Sequence, residues 1–376
     1  MERFHAQLET SLRDAPLHPS FEDPRRRLQL SSYLSLFLFG LLNPVVRTMR
    51  GLCAASHLPR VQEDICQRPV SLGSFSETQH VLDPTLLEKV FDDLKTQLPP
   101  SGRDARLGQW HWLAQDSSLF AALPRMSWAL YGGGNSRNSD PSQAVRLHLS
   151  LDILEDKPQR AVVGPGKECE RKIWRQQWQR GHAYVGDRNY GEDYKLFWQL
   201  NHKGCAFVLR LREQHAVINV LEPLPLSPAD RQAGVLQQAW ATLGCRLRYQ
   251  STRVRVVWIQ TQDGLLILVT NLDPERLPAE LVSMLYRKRW RIELFFRWVK
   301  CILGCRHFLA ESPEGVAIQI YLALIAALLF QLYSGQRPNK RIMELIQFYL
   351  LGIASDEDLL AGLEREKGRR ARQKSK

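Results

Sequence analysis

At 376 residues the chain is long enough for two or three domains with sizeable cores, and its +12 formal net charge and pI near 9.5 favour a polyanionic partner. Seven cysteines, an odd count in so long a chain, do not make a disulfide framework. No Gly-x4-Gly-Lys-Ser/Thr loop is present, which argues against a nucleotide-hydrolysing motor.

In chain order, residues 1–104 read as a helical N-terminal domain, with apolar clusters at SYLSLFLFGLLNPVV and DPTLLEKVFDDLKTQL. The first cluster is too short for a membrane span and is broken by Gly40 and by Asn43-Pro44, and no signal-peptide cleavage pattern precedes it. Between the clusters, SLGSFSETQHVL predicts a turn and a short helix, which suits either a helix-turn-helix reader of DNA or a packing domain. Pro99-Pro100-Ser101-Gly102 marks the boundary.

A second domain at 105–335 opens with the strand WHWLAQ before Asp116. Alternation at 145–153, a short strand near 160–163 and a helix at about 168–180 follow. GHAYVGDRNYGEDYKLFWQL then gives a strand reaching Asp187, a turn at Arg188-Asn189-Tyr190-Gly191 and a helix near 191–202, before the strand Cys205 to Leu211. Three strands, a helix, a strand, a helix and a strand is a ribonuclease-H-like order, so the fold class is α/β. An Asp leaving a strand at a turn, as Asp187 does, is well placed for a metal, and equally for capping a helix.

Beyond this core lies a β-rich insertion at about 212–280, because 105 residues separate Asp187 from Glu293, more than the fold needs. HAVINVLEP, CRLRYQST, RVRVVWIQT and GLLILVTNL are short, β-branched and bounded by Pro, Gly and Asp, and predict its strands. The segment LVSMLYRKRWRIELFFRWVKCIL has no Pro or Gly and predicts a helix. At about 100° per residue, that helix brings Tyr286, Arg289, Glu293 and Lys300 within an arc of roughly 60°, a row of roughly 21 Å. GVAIQIYLALIAALLFQLYSG is apolar, but Gln319 and Gln331 leave a short apolar centre, so a buried helix behind the sheet is expected, with no membrane. Residues 336–376 are a helical segment and a basic tail, EREKGRRARQKSK, read as disordered and attractive to phosphate. Cys301, Cys305 and His307 lack a fourth ligand at finger-like spacing and read as ordinary core residues.

The spacing Tyr-x2-Arg-x3-Glu-x6-Lys, within YRKRWRIELFFRWVK, resembles the signature of the bacterial insertion-sequence DDE transposases of the Y-R-E-K, hairpin-forming group, the insertion-sequence-four type. The resemblance implies that Glu293 is the third metal-binding carboxylate and that Tyr286, Arg289 and Lys300 contact phosphates near the transposon end. It also requires two upstream aspartates on separate strands. Asp187 matches the second in its Asp-Arg-x-Tyr setting. Asp116 resembles the first, with Ser117 where the family has Gly; the competitor Asp152 reads as a hairpin-end residue. Trp258 lies in the insertion and, by resemblance, could stack on an unpaired base, although strand packing accounts for it as well.

A transposase of this kind implies two Mg²⁺ ions, with Mn²⁺ able to substitute, held about 3.5 to 4 Å apart by Asp116, Asp187 and Glu293. The partners implied are double-stranded DNA, at terminal inverted repeats and at the target, and a second copy of the chain in the DNA complex. The expected reaction is cut-and-paste transposition through nicking, hairpin formation and strand transfer, in the nucleoid-associated cytoplasm of a bacterium. A catalytically inactive, transposase-derived, sequence-specific DNA-binding protein is the alternative.

Overall fold

The computed structural model describes residues 2–13, 15–99, 105–132, 142–213, 216–244, 252–304 and 307–374. The anticipated strand CRLRYQST lies outside them up to residue 251, as do Pro100-Ser101-Gly102 at the expected boundary, and Cys305.

The N-terminal region builds helices α1 (Glu2–Leu12), α2 (Leu30–Leu42), α3 (Met49–Ala55), α4 (Pro59–Val61), α5 (Leu72–Val81) and α6 (Thr85–Gln97). Their ends follow from local chemistry. Asn43 Oδ1 accepts the Val45 and Val46 N–H groups at 2.9 and 3.0 Å and turns the chain as α2 gives way to Pro44. Ser71 caps α5 by accepting from Ser74 N at 3.1 Å. Leu34, Phe37, Phe75, Val90 and Leu94 are buried in one cluster with the sheet residues Trp112, Val145 and Leu147, so these helices close on the sheet itself.

Among the described residues ten strands make one sheet. They are β1 (His111–Ala121), β2 (Leu130–Gly132), β3 (Ser142–Asp152), β4 (Lys157–Pro165), β5 (His182–Gly186), β6 (Ala206–Arg210), β7 (Ile218–Leu224), β8 (Val235–Leu243), β9 (Val254–Thr261) and β10 (Gly264–Thr270). Strands β4, β3 and β1 pair antiparallel, and β1, β5 and β6 pair parallel. The order β4-β3-β1-β5-β6, with helices at each parallel crossover, is ribonuclease-H-like. From β6 the sheet continues through β10, β9, β8 and β7, all antiparallel, so the strands expected as an insertion lengthen the same sheet. Strand β8, VLQQAWATL, was not among the expected ones. Its Leu, Gln and Ala lack β-branching, and it is made a strand by partners on both sides.

Side chains alternate across β1, so Trp112 and Ala114 join the cluster shared with the N-terminal helices while Leu113 faces the other way. That second face is covered by α7 (Glu170–Gln177), α8 (Arg188–Gly191) and α9 (Tyr194–His202), through Trp174, Trp178, Tyr190, Leu196 and Phe197. The turn expected at Arg188–Gly191 is the single helical turn α8, and the helix expected near 191–202 is α9, beginning at Tyr194. After α10 (Pro228–Gln232) the first face receives α11 (Ala279–Lys288), α12 (Trp290–Arg297) and α13 (Pro313–Ser334). Helix α13 is apolar on all sides, the only described helix long and apolar enough to cross a membrane, and 78% of its apolar window is buried. It packs on α2, α5, α6 and β4, and Tyr321 donates to the Ala161 carbonyl at 3.2 Å.

Helices α14 (Lys340–Leu350) and α15 (Asp356–Lys374) end the chain. The basic tail expected to be disordered is helical as far as Lys374. Ser355 and Asp358 form a capping box, with N–H bonds of 3.0 and 3.2 Å, and Leu359, Leu363 and the Glu366 side chain are buried.

Candidate active site

Asp116 does not stand at the end of its strand as expected: β1 runs on to Ala121, paired with β3 from Asp116↔Leu149 to Ala121↔Ala144. On its other edge the parallel pairing with β5 stops at Ala114↔Val185. Asp116 therefore lies just past the point where β5 ends and the chain turns at Asp187. Asp187 caps α8, its Oδ1 accepting the Asn189 N–H at 2.9 Å. Two acids on adjacent parallel strands are brought together by register alone.

Glu293 arrives from α12. The helix carrying it is not continuous: Arg289 separates α11 from α12, and Trp298–Ile302 is a π-turn. Arg289 keeps helical dihedrals, so the row survives across the break. Its guanidinium lies 5.7 Å from the centre of the Tyr286 ring, donates to Glu293 Oε1 at 2.6 Å and stands 4.0 Å from Asp116 Oδ2. Lys300, displaced by the wider π-turn, points to β1: Nζ donates to the Leu119 carbonyl at 2.5 Å and lies 4.8 Å over the Phe120 ring. The row thus runs along β1 from Asp116 towards Leu119.

The electrostatics reflect crowded negative charge. Burial, with the carboxylates of Glu170 and Asp187 close by, pushes the Asp116 carboxyl up to about 7, against a Ser117 N–H and the Arg289 guanidinium, which lower it. Burial likewise raises Tyr286, with Arg289 and Arg210 opposing. The Arg289 side chain is 12% exposed, and its Nε is buried with no hydrogen-bond partner among the described residues. A buried donor left over is costly in a resting structure and useful to an incoming oxygen.

An all-oxygen set of Asp116, Asp187 and Glu293 suits a hard divalent cation, and the raised Asp116 carboxyl is what such a cation would relieve. Among the described residues no three His, Cys, Asp or Glu side chains stand together at ligand spacing. The Arg289 guanidinium bridges Asp116 and Glu293.

The remaining candidates lie apart. Trp258 is on β9, four strands from β1 or about 19 Å at the usual strand spacing, half-buried against the core of the second face. Asp152 accepts from Leu154 and Glu155 N–H at 2.9 and 3.0 Å, as a hairpin-end residue does. Cys301 is exposed, not the core residue expected of it. Glu170, by contrast, was missed. It accepts from Tyr190 Oη at 2.5 Å and Asn189 Nδ2 at 3.1 Å, behind Asp187. In sequence it is one acid in the first turn of a helix, which the helix dipole explains without any site.

Residues 114–329 match the family model described as Transposase DDE domain. Over 218 residues, 57% of the chain, it is 35% identical to a Sinorhizobium fredii protein that bears a transposase name, covering 60% of that relative. A Geobacillus stearothermophilus protein named as a transposase for an insertion sequence element is 26% identical over 221 residues, 58% of this chain and 55% of that one. A third, from Escherichia coli K12 and also named for an insertion sequence element, is 38% identical over 77 residues, 20% of this chain and 21% of its own. The chain therefore spans less than two thirds of each of these relatives.

Proposed function

The chain belongs to the DDE transposase family of bacterial insertion sequences, and from that we propose that it catalyses cut-and-paste DNA transposition through end nicking, hairpin formation and strand transfer. The observation that carries the reading is Arg289 holding Glu293 at 2.6 Å within 4.0 Å of Asp116, with Asp187 adding its charge to the same place. In our reading Asp116, Asp187 and Glu293 hold divalent Mg²⁺, or Mn²⁺ in its place. When bound, such ions activate an attacking oxygen and stabilise a leaving one.

The chain's own residues handle the DNA. Arg289 is a fork suited to a phosphate, and its unpartnered Nε supplies a donor that the resting contacts do not use. Lys300, further along β1, neutralises a neighbouring phosphate as a point charge, and Tyr286 backs the Arg289 guanidinium. In each step an oxygen of water or of a 3′-hydroxyl bonds to phosphorus as the opposite P–O bond breaks. Trp258, distant from the acids, would act on an unpaired base elsewhere on the DNA end. We assign residues 1–104 to holding DNA, supported by the exposed Arg47, Arg50, Arg60 and Arg68 around α3 to α5. Two chains bridging two ends complete the assembly.

Purified protein incubated with Mg²⁺ and a plasmid carrying the DNA that flanks its gene tests this, with Glu293→Ala as control. Hairpin-ended excised fragments made by the wild type and absent from the variant are expected. Tight binding with no strand breakage by either would instead make the chain a non-catalytic DNA-binding protein.

A further inference from the structure

Asp187 depends on a short segment that α7 grips from behind. Residues 187–193 leave β5, make the single turn α8 and pass into α9. Helix α7 meets them through three residues. Glu170 accepts from Asn189 Nδ2 and Tyr190 Oη, Trp174 packs edge-on to the Tyr190 ring with centroids 4.2 Å apart, and Arg175 pairs with Asp193. Asn189 connects this grip to the site, because its backbone N–H is the donor to Asp187 Oδ1. One Asp187 oxygen is thereby committed, and the direction of Oδ2 follows from where Asn189 is held.

We propose that Glu170 is a positioning residue: its carboxylate clamps the Asn189-Tyr190 turn, and the clamped turn aims Asp187 Oδ2 at the site shared with Asp116. The inference rests on reading Asp187 as a metal-binding carboxylate. Three features favour a specific role over simple packing. Both carboxylate oxygens are engaged, one by each of two consecutive residues. Tyr190 is 1% exposed, so its hydroxyl has little else to bind. The clamped Asn189 is also the residue whose backbone N–H donates to Asp187 Oδ1, so the gripped turn and the site share a residue. Outer partners that orient a ligating carboxylate typically change metal affinity 10- to 100-fold when removed.

The test uses the full chain and the variants Glu170→Ala, Glu170→Gln and Tyr190→Phe. Mn²⁺ uptake is followed by the paramagnetic resonance of the free ion, and thermal unfolding and end cleavage against Mg²⁺ concentration are measured alongside. Glu170→Ala is expected to weaken Mn²⁺ binding about tenfold and to raise the Mg²⁺ needed for half-maximal cleavage by a similar factor, with DNA affinity within about twofold of wild type. Glu170→Gln can still bond Tyr190 and a reoriented Asn189, so it recovers most of the loss. Tyr190→Phe removes one of the two contacts and falls between. Wild-type Mn²⁺ binding in Glu170→Ala overturns the proposal, as does a loss in Glu170→Gln equal to that in Glu170→Ala. A wild type that takes up no Mn²⁺ removes its foundation. A wild type that binds Mn²⁺ with the expected variant order but cuts no DNA upholds the clamp and refutes the transposase reading instead.

Discussion

Arg289 and Asp116, 173 residues apart in sequence, face each other across 4.0 Å, and the same guanidinium is bound to Glu293 at 2.6 Å. A cation supplied by the protein thus stands among the acids that the family reading assigns to a metal. One guanidinium does not offset the crowding, since Asp116 is still pushed up to about 7 by burial and by Glu170 and Asp187.

That residual strain predicts a pH-dependent stability. Asp116 has a carboxyl near 7 when folded and 3.8 as its ordinary value. Between those limits the folded protein keeps a proton that the unfolded chain has lost, so rising pH favours unfolding. The penalty is absent below about pH 4 and complete above about 7. Asp116→Asn keeps an acceptor for the Ser117 N–H and removes the charge. In chelator, urea unfolding should find the variant more stable at pH 8 by on the order of 2 kcal/mol, reduced from the full linkage value because water reaches the carboxylate. At pH 3.5, below both values, the two proteins should unfold together. A difference of the same size at both pH values would show that charge at Asp116 is not its source.

Lys300 offers a test of the phosphate row that does not involve the acids. Its ammonium is held between the Leu119 carbonyl and the Phe120 ring, a position along β1 beyond Asp116. Lys300→Met retains the aliphatic stem and loses the charge. If Lys300 neutralises one phosphate, the slope of log affinity against log salt for a terminal-repeat duplex should flatten by about 1. Fluorescence anisotropy across a salt series measures this, and parallel lines for wild type and variant would place Lys300 off the DNA.

The parts of this structure that were legible in sequence are those with local periodicity. Tyr286, Arg289 and Glu293 are spaced three and four apart, and side chains so spaced meet on any helix whether or not one residue interrupts it. The strand before Asp187 and the turn after it announce themselves by an apolar run meeting Asn and Gly. What was not legible depends on distant partners. Strand β8 has a sequence suited to a helix and is a strand only because β7 and β9 flank it. The end of β1 could not be placed because Ser117, Ser118 and the residues up to Ala121 are carried by β3, whose register no local pattern reveals. Counting charge in the tail concealed that Glu366 continues the helical spacing of Leu359 and Leu363 just before it, after the Ser355-Asp358 cap. Glu170 belongs to the same class, since its partners lie 19 and 20 residues away.

Gly191 ties the turn after Asp187 to β6. A Cβ added there would overlap the backbone carbonyl of Arg210, which sits at the end of the strand next to β5. Backbone cannot yield as a flexible side chain does, so Gly191→Ala must lift α8 away from β6. The strain should cost about 1 to 3 kcal/mol of stability, read by urea unfolding. The larger effect falls on Asp187, only four residues back and capping the same short helix. A displacement of about 1 Å at a reacting centre costs on the order of 100-fold in rate. End cleavage by Gly191→Ala should therefore fall by far more than its stability, at a temperature where the variant remains folded. Gly73, where an added Cβ meets nothing within 4 Å, supplies the control: Gly73→Ala should leave both quantities near wild type. Cleavage by Gly191→Ala that merely tracks its lost stability would mean that the turn's position does not govern Asp187.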